Sequence, residues 1–436
     1  METTNVLIVT KEMIKPSSPT PHHLRTFKLS FLDQISPPMY TPLIFFYQAT
    51  EIHGDHAQIS QLLKQSLSKT LSQFYPLAGR INSEGYFIDC NDAGALFIEA
   101  QIHANLLQVV DKPNMEELRE YLPSEPEKDN VLLAVQINFF DCGGIALGVK
   151  MSHKVADGTS LVTFMNAWGA MTSSCTRDEN ISQFSFGTIA NLFPPRDLSS
   201  FNSMKSTGIT NENVLKRLLF SKEKLQKLKH SVSSASGSKI QDPTRVEVVS
   251  SFIWRHFIEM KKSKIGNEKK IVGAVHAVNL RPRMNPPLPN HAFGNFWRHI
   301  MAIPTIVLSN NKEEKYEYHD LVEILRSSIR EINDDYVKKI QSGDEYIPIL
   351  KKSVEIFLKG EIELLNFSSW CRFPIYEVDF GWGKPVWACT TAFPFKNLAI
   401  LMSTRDGQGI EAWINMLEDD ASVFECGVGI NDLVPK

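Results

Sequence analysis

The chain has no long apolar run: no stretch approaches the about 18 consecutive apolar residues that a membrane-spanning helix requires. It opens Met1-Glu2-Thr3-Thr4-Asn5, and only Val6 to Val9 are apolar before Lys11. A secretory leader needs a basic start and a longer apolar region, so none is expected and the cytoplasm is the expected compartment. An excess of either charge is also missing. Lys+Arg 46 against Asp+Glu 49 gives a net charge of −3, without the basic block that a nucleic-acid binder or an anionic-membrane binder carries. The six cysteines (Cys90, Cys142, Cys175, Cys371, Cys389, Cys426) include no C-x-x-C pair, and H-E-x-x-H is absent. They read as reduced, mostly buried thiols, with no metal site expected. Neither a G-x-S-x-G elbow nor a Walker A loop occurs, which sets aside the common serine hydrolases and P-loop nucleotide enzymes.

What is present is ordinary in bulk. A length of 436 residues, 43 % hydrophobic and 22 % charged, fits a soluble protein of two or three domains. Ile59, Leu62, Leu63, Leu67, Leu71 and Phe74 recur at helical spacing, predicting a helix from Asp55 to Phe74. The stretch from Tyr86 to Glu99, broken by Asn91-Asp92-Ala93-Gly94, predicts a hairpin. Val131 to Asp141 and the alternation Ile145, Leu147, Val149, Met151 predict two strands about Cys142-Gly143-Gly144. Leu161, Phe164, Met165 and Trp168 then predict a helix. Ser182 to Thr210, rich in Ser, Thr, Asn and Pro, is the best linker candidate. Thr244 and Glu247 form a capping box, and Leu321, Leu325, Ile329, Ile332, Tyr336 and Ile340 predict one long helix. Strands and helices in both halves predict a two-domain α+β protein.

His153 therefore falls where a strand turns into a helix, a corner at which a scaffold can hold one side chain rigidly. It alone among the 12 histidines has an aspartate four residues on, Asp157. Chance supplies about half such a match in a chain of this size, and a strand-end histidine is more often a packing residue than a base. Asp157 has an equally plain reading as the N-cap of the next helix. A second string, Asp379-Phe380-Gly381-Trp382-Gly383, has no kinase loops before it and lacks the third glycine of a dinucleotide fingerprint. Alone it describes a tight turn anchored by aromatics.

The combination resembles the plant BAHD acyltransferases. Besides these two strings, Tyr75-Pro76-Leu77-Ala78-Gly79-Arg80, Phe140-x-Cys142-Gly143-Gly144, Asn279-Leu280-Arg281-Pro282-Arg283, Pro286-Pro287-Leu288-Pro289 and Phe293-Gly294-Asn295 match the family in order. Ile14-Lys15-Pro16-Ser17-Ser18-Pro19-Thr20-Pro21 and the segments Ser369-Trp370-Cys371-Arg372 and Cys389-Thr390-Thr391 resemble the vinorine-synthase-like branch. That resemblance implies two similarly sized domains of chloramphenicol-acetyltransferase-like fold, joined by a long crossover loop, with a channel between them. The expected division is 1–185, a crossover 186–212, and 213–436 carrying the Asp379 motif.

The implied function is an acyl-CoA-dependent O-acyltransferase acting on a plant specialised metabolite. Its co-substrate would be acetyl-CoA and its acceptor an alkaloid alcohol, with a phenolic or terpenoid alcohol as alternatives. Malonyl-transferring members typically carry cysteine after Phe-Gly-Asn; here the residue is Phe296, which points away from malonyl transfer. His153 is implied as the general base and Trp370, backed by Ser368, as the oxyanion donor. Asp157 and Arg281 are implied to pair and brace the catalytic loop. Asp379 is a catalytic candidate in the family pattern, although a structural turn is the favoured reading. Thr244, Arg245, Asn295 and Arg405 are the candidates for CoA contacts. A monomer without nucleic-acid or membrane partners is expected, and a silent binding protein of the same fold is the alternative from another class.

Overall fold

The computed structural model describes residues 6–49, 54–82, 85–124, 126, 130–174, 186–198, 213–264, 271–303, 316–359 and 362–435. Strands in the first part of the chain are β1 (Val6–Ile14), β2 (Thr26–Lys28), β3 (Tyr40–Tyr47), β4 (Arg80–Ile81), β5 (Phe87–Asp89), β6 (Ala95–Ile102), β7 (Leu133–Phe140) and β8 (Ile145–Ser152). They continue as β9 (Asn213–Phe220), β10 (Ile271–Asn279), β11 (Trp297–Ala302), β12 (Ile362–Ser369), β13 (Trp387–Cys389), β14 (Leu398–Ser403) and β15 (Ile410–Leu417). Two mixed six-stranded sheets result, in the orders β1-β6-β7-β8-β3-β13 and β11-β10-β12-β14-β15-β9, with a small sheet β2-β5-β4. Mixed sheets bearing helices are the α+β architecture that the residue patterns predict.

The chain forms two compact units, and the division by chain position does not hold. The first unit takes 1–196, 289–296 and 373–391; the second takes 197–288, 297–372 and 392–436. The Asp379 motif therefore belongs to the first unit. Its β13 completes the first sheet by pairing with β3, where Trp387 stacks on Phe46 at 5.1 Å. The expected crossover also begins too early at 186. Thr188–Leu192 is helical, Ile189 and Phe193 are buried, and Phe193 O accepts from Phe31 N at 2.9 Å, so this stretch packs as part of the first unit. Positions 199–212 of that segment lie outside the described residues.

In the first unit, the helix His56–Gln73 begins at Asp55, whose carboxylate closes a capping box with Gln58. It packs against the helix Gly158–Ser174, where Trp168 Nε1–H donates to Ser66 Oγ at 3.1 Å and Thr172 Oγ1 lies 2.8 Å from the same oxygen. β7 and β8 are the two strands predicted about Cys142-Gly143-Gly144, and they pair antiparallel. The predicted hairpin over 86–99 does not form. β5 pairs with β2 and β4, whereas β6 joins β1 and β7; between them Asp92 and Gly94 adopt positive φ.

In the second unit, the helix Arg245–Lys264 packs among buried apolar residues of its sheet, including Val272, Leu365, Ala399 and Ile414. The single helix predicted over 321–340 is broken into Tyr318–Glu331 and Asp334–Ser342. Asn333 leaves the helical region and its side chain caps the second piece by accepting from Tyr336 N, a start signal embedded in a continuous apolar stripe. Of the described cysteines, Cys90 and Cys389 are buried, Cys371 is intermediate, and Cys142 and Cys426 are exposed, so fewer are buried than expected; all five are free thiols. No helix among the described residues is long and apolar enough to cross a membrane.

Candidate active site

β8 alternates its apolar side chains and delivers His153 at its end, where His153 N donates to Met39 O at 2.8 Å. Asp157 then starts the helix Gly158–Ser174: its Oδ1 accepts from Ser160 N at 2.8 Å. Its second oxygen accepts from Phe296 N at 3.0 Å. Ser160 Oγ completes the clamp, donating to Gly294 O at 2.9 Å and accepting from Gly294 N at 3.0 Å. The Phe293-Gly294-Asn295 segment is thereby fastened to the corner that carries His153. Only glycine fits at 294, where φ is +133° and an added Cβ would come within 2.9 Å of Ile189.

This docking sets Asn295 beside the histidine. Asn295 Oδ1 lies 3.0 Å from His153 Nδ1, and Asn295 Nδ2 donates to His153 O at 2.9 Å and to Asp33 Oδ1 at 2.8 Å. Asp33 belongs to the short helix Phe31–Gln34 and closes its capping box with Ser30. Lys154 Nζ donates to Gln34 O at 2.8 Å, which ties the loop after His153 to the same helix. Asn295 was expected among the coenzyme contacts. Buried, with both ends of its amide engaged by His153 and Asp33, it is placed instead as a support of His153.

His153 stays partly accessible, yet the surrounding protein desolvates its ring. Burial lowers its pKa below the usual 6.5, against the smaller raising effects of its own backbone, the Asp157 charge and Asn295. The ring is thus kept neutral near pH 7, the state that can accept a proton. His256 and His276 contrast with it. The first bridges Phe252 O and Val428 O, and the second stacks on Phe367 with burial pushing its pKa down to about 4. Both have the surroundings of core residues.

Asp379 stands apart from this cluster. Its Oδ1 accepts from Gly381 N at 2.7 Å and Gly383 N at 2.9 Å, which closes the turn on itself. Phe380 packs edge-on against Trp168, and both Phe380 and Trp382 meet Tyr47 edge-on. Gly169 lets the helix approach, since an added Cβ would lie 2.6 Å from Asp379 O. These contacts are those of a residue that closes and anchors a turn, and they support the structural reading of Asp379. Asp379→Ala is expected to lower the melting temperature by about 3–8 °C through two orphaned turn N–H groups. Turnover per folded molecule should stay within about threefold of wild type, and a hundredfold loss in fully folded protein would return the residue to the chemistry.

The remaining candidates lie in the second unit. Trp370 Nε1–H donates to Ser368 Oγ at 3.1 Å, joining the two residues considered for oxyanion binding. Arg281 is buried, with its N–H bonded to Asn279 Oδ1 at 3.0 Å. Thr244 and Glu247 form the expected capping box, and Arg326 grips the Glu247 carboxylate through Nε at 2.8 Å and Nη2 at 2.7 Å. That ion pair holds Glu247 below the usual carboxylate range although burial opposes it. Arg245 Nη1 donates to Gly407 O, in the exposed turn that also carries Arg405. Three of the four coenzyme candidates, Thr244, Arg245 and Arg405, are thus brought to one end of the second unit.

Sequence reasoning did not single out Asp33 or Ser160. Both sit three residues after an N-cap, Asp33 in a helix that was not predicted and Ser160 in one that was, and only their partners reveal the connection to His153.

The model of the Transferase family matches residues 4–428. The chain belongs to this family, the BAHD acyltransferases. Stemmadenine O-acetyltransferase of Catharanthus roseus is 42 % identical over 427 residues, covering 96 % of this chain and 95 % of the relative. Vinorine synthase of Rauvolfia serpentina is 43 % identical, covering 95 % of each chain. Its crystal structure superposes with a TM-score of 0.84 over 99 % of this chain and 98 % of that one, at 40 % identity. Limonoid 1-O-acetyltransferase of Citrus sinensis is 37 % identical over 97 % of this chain and 96 % of its own. This BAHD protein is accordingly an acyltransferase whose two units are of the chloramphenicol-acetyltransferase type.

Proposed function

We propose that this chain transfers an acyl group, acetyl in the first instance, from a coenzyme A thioester to a hydroxyl of a plant alkaloid, with His153 as general base. The observation that carries the reading is the Asn295-held, desolvated His153 at the end of β8. Nε2 takes the hydroxyl proton as the oxygen attacks the thioester carbonyl. The tetrahedral intermediate collapses with cleavage of the carbon–sulfur bond, and the departing thiolate receives the proton from the imidazolium. No acyl-enzyme is needed, because the thioester is already activated. Thr244, Arg245 and Arg405 are proposed for the anionic groups of the coenzyme; two cations beside a helix start support that assignment.

Two acyltransferases named for alkaloid chemistry, at 42 % and 43 % identity, support an alkaloid acceptor. A limonoid acetyltransferase at 37 % identity favours a terpenoid alcohol as the second reading. Incubation with acetyl-CoA and a panel of both alcohol classes, followed as free thiol release and product mass, decides between them. Thiol release no greater than that of His153→Ala for every acceptor would remove the enzymatic reading.

The pH profile tests the base. Only neutral imidazole accepts a proton, so activity falls as pH drops through the folded-state pKa. Burial lowers that pKa, and the acid limb of kcat/KM is therefore expected below pH 6.5, with a plateau through neutrality. An acid limb centred above pH 7 would contradict a desolvated His153.

A further inference from the structure

The side chain of Asn295 meets two groups at its nitrogen, the Asp33 carboxylate at 2.8 Å and the His153 carbonyl at 2.9 Å. The carbonyl is an acceptor only, as is Asp33 in its ionised form, so the amide is oriented with Nδ2 toward them and Oδ1 toward His153 Nδ1 at 3.0 Å. An amide oxygen can only accept. His153 Nδ1 must therefore carry the ring hydrogen in the neutral imidazole, and the lone pair is on Nε2. Asp33 is itself fixed. Its Oδ2 accepts from Ser30 N at 2.9 Å and Ser30 Oγ at 2.7 Å, and its N–H donates back to Ser30 Oγ at 3.1 Å. Asp33 and Asn295 are both buried, so water cannot substitute for either partner without displacing protein.

We propose that Asp33 is a positioning residue that selects the tautomer of His153 through the Asn295 amide. This rests on the reading of His153 as the base. A helix cap, set by Ser30 and Asp33 far upstream in the sequence, thus determines which ring nitrogen can take the acceptor's proton.

The arrangement makes an unusual demand at position 33. In Asp33→Asn the oxygen must stay where Ser30 N donates, because an amide nitrogen there would face a donor. The new NH2 then occupies the place of Oδ1 and faces Asn295 Nδ2, donor against donor. Asn295 is driven to turn over, which points its own NH2 at His153 Nδ1 and moves the ring hydrogen to Nε2, where it blocks the base. Asp33→Ala removes the acceptor without installing a donor, and the His153 carbonyl still favours the original orientation of Asn295.

The test compares steady-state kinetics with acetyl-CoA and a working acceptor, melting temperatures, and long-range ¹H–¹⁵N spectra of histidine-labelled protein. The His153 ring signals are assigned by their loss in His153→Ala. Asp33→Asn is expected to lower kcat about 100-fold, with KM for both substrates within about threefold, and to shift the ring hydrogen from Nδ1 to Nε2. Asp33→Ala should be the less impaired of the two in kcat, at about tenfold, although it melts lower because the cap is lost. A purely structural Asp33 gives the opposite order, with the isosteric asparagine milder than alanine. That order, or an unchanged tautomer in Asp33→Asn, overturns the proposal. Retention of transfer by His153→Ala would instead remove the base itself, which separates failure of the underlying reading from failure of the relay.

Discussion

Replacing His153 by alanine is expected to slow acyl transfer by about 10²–10⁴-fold, the range a positioned general base supplies, while the melting temperature stays within about 3 °C of wild type. The rate falls because the group proposed to take the hydroxyl proton is gone. Stability is held because the ring is partly accessible, so water entering the vacated space can satisfy Asn295 Oδ1. Asp157→Ala provides the contrast. It leaves Ser160 N and Phe296 N without their acceptor in a buried corner, and stability and activity should fall together. Calorimetry and thiol-release kinetics on both variants check the division. Matching melting temperatures would show that the two residues do not differ in this way, and full activity in His153→Ala would dismiss it as the base.

Gly148→Ala is expected to have the largest effect on stability of any single methyl group added to the first sheet. The new Cβ would lie 2.0 Å from the Tyr121 carbonyl oxygen, a backbone atom with no rotamer to yield. That oxygen also accepts from Asn138 Nδ2 at 2.9 Å, so displacing it strands part of a buried amide that additionally bonds Ala146 O and Gln136. Overpacking costs about 1–3 kcal/mol and an unsatisfied buried polar group about 1–3 kcal/mol more. For a unit of roughly 200 residues, a loss near 3 kcal/mol lowers the melting temperature by about 6–12 °C. Because Gly148 lies on β8, which ends one residue before His153, the bend needed to relieve the clash also moves His153, and turnover should drop with stability. A melting temperature within 2 °C of wild type would show that the strand and the Tyr121 turn separate at little cost.

The helices His56–Gln73 and Gly158–Ser174, the β7–β8 pair and the Thr244 capping box were legible because their signals are local. Apolar spacing selects a periodicity, and a polar residue at the boundary satisfies the first N–H groups. Where the sequence pattern misled, either a local cap lay hidden inside an apolar stripe or a non-local partner decided. The apolar stripe from Leu321 to Ile340 continues through Asn333, yet that side chain caps a new helix. The strands over 86–99 find partners in separate sheets, a choice that depends on β1, β2 and β7 and not on the turn between them. Register is set by which faces are buried, and that is known only once the sheet exists.

The site divides in the same way. The sequence by itself placed His153 at a strand-to-helix corner, gave Asp157 its capping role, and, through ordered motifs, the chain its family. What it could not express is that Gly294 and Asn295, more than 130 positions downstream of Ser160 and His153, return to that corner. Nor could it show that the aromatic turn at Asp379 folds with the first half of the chain. Tertiary structure decided these points because a hydrogen bond between residues distant in sequence leaves no periodic trace. The orientation of one buried amide, which fixes where the His153 proton sits, follows only from the groups packed around it.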